Sequence, residues 1–167
     1  MTFLRTIKPT RPLSTLKLPA QTLAKLQAKV NAYRAGTDAG RLLLTGDLSS
    51  SNKVAEAIAH VTGGKLLHID LRAVVSKYVG ETEKNLSRIF AEAGSSQAIL
   101  FFDEADALFG KRTDVQDSHD RYANMQPDDL LRQLESFPGF VIFAASSSVE
   151  PIEHLPCHVL KVDVNTN

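Results

Sequence analysis

Residues 99–106, Ile-Leu-Phe-Phe-Asp-Glu-Ala-Asp, constrain the fold more than any other stretch of this 167-residue chain. Four consecutive large apolar residues, set between a helical segment and a pair of carboxylates, read as a strand buried on both faces. Asp103 and Glu104 then stand at its carboxyl end, where open parallel α/β sheets place their ligands. Two adjacent carboxylates at such a tip require a cation or solvent to balance them.

The elements around this strand alternate. After Pro19, Leu23, Leu26, Val30 and Tyr33 follow at helical spacing, and Gly36 ends the helix. Residues 41–45 read as a first buried strand. Gly46 opens a polar loop, and a helix is expected from about Asn52, with Val54, Ala57, Ile58 and Val61 on its apolar face and Gly63-Gly64 at its end. A strand over 65–70, a loop over 71–81 and a helix carrying Leu86, Ile89, Phe90 and Ala93 lead into the 98–103 strand. Residues 109–126 are polar and weakly patterned. Pro127 starts a helix bearing Leu130, Leu131, Leu134 and Phe137, which Pro138-Gly139 stops. Residues 140–145 form a fourth strand. Leu160, Val162 and Val164 alternate with Lys161 and Asp163, as on an edge strand. Such alternation predicts right-handed βαβ units and a three-layer αβα sandwich around a parallel sheet. Residues 1–17, with two prolines and no periodicity, are expected to be an irregular arm, and 18–167 a single domain.

Composition narrows the partners. Nineteen basic residues balance nineteen acidic ones, so no net field favours nucleic acid or an anionic membrane. No apolar run approaches the roughly 20 residues needed to span a bilayer, and the N-terminus lacks the apolar core of a secretory signal. The single cysteine, Cys157, rules out an internal disulfide and suits a reducing compartment, so a cytoplasmic protein is expected.

The string from Val75 to Leu86 (VSKYVGETEKNL), then LFFDEADALFGKR, HDRYAN and LLRQLESFPG, closely resembles the AAA+ ATPases, and the likeness runs from about Leu16 to Val164. The resemblance implies a P-loop nucleotidase-like fold with five parallel strands in the order 5-1-4-3-2 and an oligomeric, usually hexameric, working form. It leaves no room in the chain for the small helical lid subdomain. It assigns Asp103 to Mg²⁺ and Glu104 to activation of the attacking water.

The family's phosphate loop reads G-x-x-x-x-G-K-[ST]: glycines let backbone N–H groups curl around the phosphates, lysine neutralises them, and the hydroxyl binds Mg²⁺. Aligned from Gly46, the intervening positions include Ser49 and Ser50. The second glycine becomes Ser51, the lysine Asn52 and the hydroxyl residue Lys53. Three serines lack glycine's access to positive φ, and an amide stands where a full charge is needed. Turned about 100° from the lysine position, Lys53 is expected to replace the metal as the partner of Asp103. Ser146 occupies the place of the Asn that orients the attacking water. No arginine follows Arg132 to act as a finger on a neighbouring subunit, a group worth about 10³–10⁵ in rate.

Lys77, Tyr78, Val79 and Gly80 match the family's first pore loop, which grips a polypeptide, and are expected to contact a peptide or a neighbouring subunit. Lys111 to Asn124 is expected to be a solvated loop near the second pore loop or the subunit interface, with His119 an interface or solvent residue. His154, Cys157 and His158 have zinc-ligating chemistry, but Pro156 breaks their alignment and no fourth ligand is near, so no metal site is expected. His60 and His68 are expected at the surface or in structural hydrogen bonds. Together these features predict a degenerate AAA+ ATPase-like module with no bound cofactor and little or no hydrolysis. It would act as a protein-binding or regulatory subunit, with a peptide client or an active AAA+ relative as its partner. The alternative is an atypical ATPase that takes ATP and Mg²⁺, remodels proteins and borrows site elements from a partner. A third reading is an anion other than a nucleotide held by residues 49–52.

Overall fold

The computed structural model describes residues 4–76, 78–106, 127–147, 150–153 and 158–165. Its strands are β1 (Leu4–Ile7), β2 (Arg41–Thr45), β3 (Leu66–Asp70), β4 (Ile99–Asp103), β5 (Val141–Ala145) and β6 (Val159–Asp163). Its helices are α1 (Ala20–Arg34), α2 (Leu48–Thr62), the single turn α3 (Leu71–Val74), α4 (Glu81–Ser96), α5 (Pro127–Ser136) and the single turn α6 (Glu150–Glu153). Lys77, the segment containing Lys111 to Asn124 and His119, and His154 and Cys157 lie outside the described residues.

The sheet runs β1-β3-β4-β5-β2-β6. β2 to β6 are parallel and follow one another in the expected order, with β6 at one edge. Strand count, sheet order and character nevertheless need correcting: the sheet has six strands and is mixed, because β1 pairs antiparallel with β3. The irregular arm is corrected with it. Residues 4–7 close the far edge of the sheet, and Leu13 and Leu16 are buried in the core with α1 and α2. The physical reason is the row of N–H and C=O groups that β3 would otherwise expose.

Alternation along the strands sorts the core into two layers. Leu43, Leu100, Phe102, Val141 and Phe143 pack with α4 and α5. Leu42, Leu44, Phe101, Ile142 and Ala144 pack with α1 and α2. Since both faces are covered, β4 and β5 are apolar at almost every position, as a central parallel strand must be.

One buried ion pair ties the end of α1 to the start of β6. Lys29 Nζ lies 2.7 Å from Asp38 Oδ1 and donates to the carbonyl of His158 at 2.6 Å. Burial raises the Asp38 pKa, but hydrogen bonds from Lys29 and the Gly40 N–H outweigh it and hold the carboxyl below its ordinary value. A carboxylate with a depressed folded pKa stabilises above its unfolded pKa of about 3.9 and loses that contribution as pH falls through the folded value. The difference in urea midpoint between the wild type and Asp38→Asn is therefore expected to be full at pH 6 and to shrink below about pH 4.

Candidate functional site

A cleft of about 460 Å³ opens at the carboxyl ends of β2, β4 and β5, lined by Gly46, Leu48, Ser51, Asp103 at the end of β4, Glu104 and Asp106 just after it, and Ser146. This is where a parallel sheet with helices on both faces offers a ligand site. The strand that carries the carboxylates is as expected. The segment facing it is not.

Helix α2 begins at Leu48, four residues before the expected start. Asp47 is its N-cap: the Asp47 carboxylate accepts from the Ser50 N–H at 2.8 Å, while the Ser51 N–H reaches the Asp47 carbonyl at 3.1 Å. Hydrogen bonds from Ser50 hold the Asp47 carboxyl below its usual range. Residues 49–52 thus form the opening turns of a helix instead of a loop. Gly46 keeps a φ of +128°, and a Cβ there would lie 2.7 Å from Asn165 Oδ1, so this glycine serves a close approach to the chain after β6. Asparagine or alanine at Asp47 tests the cap. Asp47→Ala is expected to lower the thermal midpoint, with Asp47→Asn recovering most of the loss, because both Asp and Asn offer the capping oxygen.

Two side chains differ from their expected roles. Asn52 donates back to the Leu48 carbonyl at 3.0 Å and does not line the cleft; Ser51, one position earlier, does. Lys53 does not pair with Asp103. It is exposed and lines a separate groove with Arg11, Thr15, Leu16 and Lys17. The extra helical turn gives Asn52 the Leu48 carbonyl as a partner, and the buried Val54, Ala57 and Ile58 set a helix phase that leaves Lys53 exposed.

The partner of Asp103 is His68, with Nε2 3.1 Å from Oδ2. In the parallel register His68 lies opposite Phe101, so Asp103 is its diagonal neighbour on the same face. Glu104 is paired with Arg72 Nε, from the α3 turn that Asp70 caps. Glu104 itself sits at φ +54°, a left-handed conformation costing about 1 kcal/mol or more for a residue with a side chain. Asp106 accepts from both the N–H and the hydroxyl of Ser146, joining the ends of β4 and β5. Arg72 was not visible as a site residue in the sequence. The one signal for His68 is a polar residue inside an otherwise apolar strand.

The pore-loop position lies apart from the cleft. Tyr78 and Val79 are 60% and 93% exposed, and Gly80 caps α4 at φ +79°. His158 stands beside Lys29 and Asp38. His60 is exposed near the end of α2. No described helix is long and apolar enough to cross a membrane.

The family model described as "ATPase family associated with various cellular activities (AAA)" matches residues 53–162, well over half of the chain. The chain belongs to the AAA family. This AAA domain is 32% identical over 101 residues to Protein CdcH of Halobacterium salinarum, covering 60% of the chain and 14% of that protein. It is 44% identical over 70 residues to the ATPase family gene 2 protein of Schizosaccharomyces pombe, covering 41% of the chain and 9% of that protein. It is 36% identical over 90 residues to the 26S proteasome regulatory subunit 7 homolog B of Arabidopsis thaliana, covering 53% of the chain and 19% of that protein. The chain thus spans only a small part of the length of the curated relatives it matches.

Proposed function

We propose that this AAA domain does not hydrolyse ATP and acts as a protein-binding or regulatory module. The observation that carries the reading is the start of α2. A phosphate cradle needs successive backbone N–H groups turned towards the anion and a cation beside them. Here the Ser50 N–H is engaged by the Asp47 carboxylate, Asn52 is folded onto its own helix, and Lys53 faces another groove. The residues present do not fit a magnesium nucleotide. Asp103 and Glu104 support the same reading, because each already has a cationic or imidazole partner from the protein. Tyr78 and Val79, projecting into solvent beside Gly80, are the proposed contact for a peptide or a neighbouring subunit. A cytoplasmic setting and an oligomeric form belong to the same proposal.

A titration with fluorescent ATP, with and without Mg²⁺, tests it. No saturable binding is expected in the micromolar range, and micromolar, magnesium-dependent affinity would overturn the proposal. That outcome would favour the second reading, an atypical ATPase completed by a partner, for which the relatives named as ATPases speak.

A further inference from the structure

We propose that the seam between the N-terminal arm and α2 binds an extended acidic segment of a protein partner. This seam shares no lining residue with the cleft and does not include Tyr78. The inference therefore stands whether or not the domain binds ATP.

Charge is unevenly placed along a chain whose total balances. Residues 1–18 carry Arg5, Lys8, Arg11 and Lys17 and no acidic side chain, the first of which is Asp38. The fold lays this arm antiparallel along α2. Lys8 and Pro9 border the end of the helix at Ala59 and His60, Arg11 meets Glu56, and Thr15 to Leu18 lie beside Ser50, Lys53 and Val54. Two grooves result. One, of about 250 Å³, sets Arg11, Lys17 and Lys53 around Leu16 and Val54. The other, of about 510 Å³, carries Lys8, His60 and Lys65. Among the described residues no aspartate or glutamate lines either groove.

Surface charges of the two signs are ordinarily interspersed. Here Lys8, Lys17, Lys53 and Lys65 are all exposed, and among the described residues none makes an ion pair or a side-chain hydrogen bond. Two carboxylates stand nearby. Lys53 helps to lower the pKa of Asp47, and Arg11 lies 3.7 Å from Glu56, beyond hydrogen-bond reach. They offset part of the charge and leave an excess of cations, which attracts an anionic partner.

The lining selects a polypeptide. Single-stranded nucleic acid is gripped by aromatic side chains stacked on its bases as well as by cations, and neither groove is lined by an aromatic ring. A bilayer surface is met by protruding apolar side chains. The large exposed ones are Leu48, Tyr78 and Val79, and none of them borders a groove. Leu16 and Val54 are instead buried between the cations, a floor that suits an aliphatic side chain flanked by carboxylates. From Lys53 to Gly63 the helix rises about 15 Å, a span that roughly five extended residues cover.

Fluorescence anisotropy of a labelled, capped Asp-Glu-Leu-Asp-Glu-Asp peptide, titrated with the full chain at low ionic strength, tests this. Saturable binding that weakens with salt is expected. Lys53→Glu and Lys8→Glu, one in each groove, should each weaken it about tenfold, and Lys53→Gln about threefold. Arg88→Glu makes the same change of charge on α4, across the sheet, and should leave affinity within about twofold. All three positions are exposed, and thermal midpoints check that the variants fold. Glycine in place of the peptide's leucine should cost affinity several-fold. Absence of saturation, an equal loss with Arg88→Glu, or indifference to Lys8→Glu or to the leucine would overturn the proposal. So would lysine-dependent binding of a single-stranded oligonucleotide or of phosphatidylserine vesicles without binding of the peptide. Failure here leaves the proposal about ATP untouched, since that one rests on the cleft and the start of α2.

Discussion

Arg41→Ala is expected to lower the folding stability of this AAA domain by about 3–5 kcal/mol. Arg41 opens β2 with its side chain 1% exposed, a burial that an arginine tolerates only when its donors are used. Nη1 donates to the carbonyls of Ala39 at 2.5 Å and Gly139 at 2.7 Å, and Nη2 to those of Leu134 at 2.7 Å and Phe137 at 2.5 Å. The Leu134 carbonyl is in the last turn of α5 and the Phe137 carbonyl directly follows it, where a helix leaves acceptors without internal partners. One guanidinium therefore closes α5 and fastens the turn before β5 to the start of β2. Truncation strips the buried Phe137 carbonyl of its guanidinium donor and leaves the Leu134 carbonyl only the long 3.4 Å bond from the Phe137 N–H, at up to about 1–3 kcal/mol each, besides two part-buried bonds to Ala39 and Gly139. Arg41→Lys keeps the charge but not the fork and should fall between alanine and wild type. Arg41→Met keeps most of the volume, so it should be nearly as damaging as alanine if hydrogen bonding is the cause. Urea unfolding measures all three, with the midpoint falling at constant m. A methionine variant as stable as wild type would refute the account.

Phe102→Ala should cost a similar amount, about 3–5 kcal/mol, through lost burial and the cavity left behind. Phe102 is fully buried at the centre of the sheet, stacked on Phe143 of β5 at 5.5 Å with 14° between the rings, and 6.1 Å from Phe90 of α4. Between two neighbours in the sheet and a helix above, the site has little freedom to collapse. Phe102→Leu should lose clearly less, because it removes fewer buried atoms. Because Phe102 directly precedes Asp103, the alanine variant is also expected to broaden the His68 ring resonances in NMR. A loss below about 1 kcal/mol would mean that α4 closes over the gap.

The central strands were legible in the sequence because burial on both faces writes an apolar run that few other environments explain. Residues 99–102 and 141–145 are of that kind, and each is a strand. β1 was not legible: four residues with only Leu4 and Ile7 partly buried carry no usable period, and their pairing is with residues about 60 positions away. The start of α2 misled for a different reason. Aspartate and serine favour both loops and helix N-termini, so residues 47–51 alone suit either. His68 and Arg72 became site residues only through register and the α3 turn, which set them beside carboxylates more than thirty residues later.

The chain by itself determined the family, the strand ending in Asp103 and Glu104, and the absence of a lysine at the aligned phosphate-loop position, since all three are matters of residue type and local period. Only the tertiary structure decided what those carboxylates face. Asp103 meets an imidazole and Glu104 a guanidinium, while Ser51 is buried in the wall of the cleft. Such partnerships follow from strand register and helix phase, which a shift of one residue would change and which no short segment encodes alone.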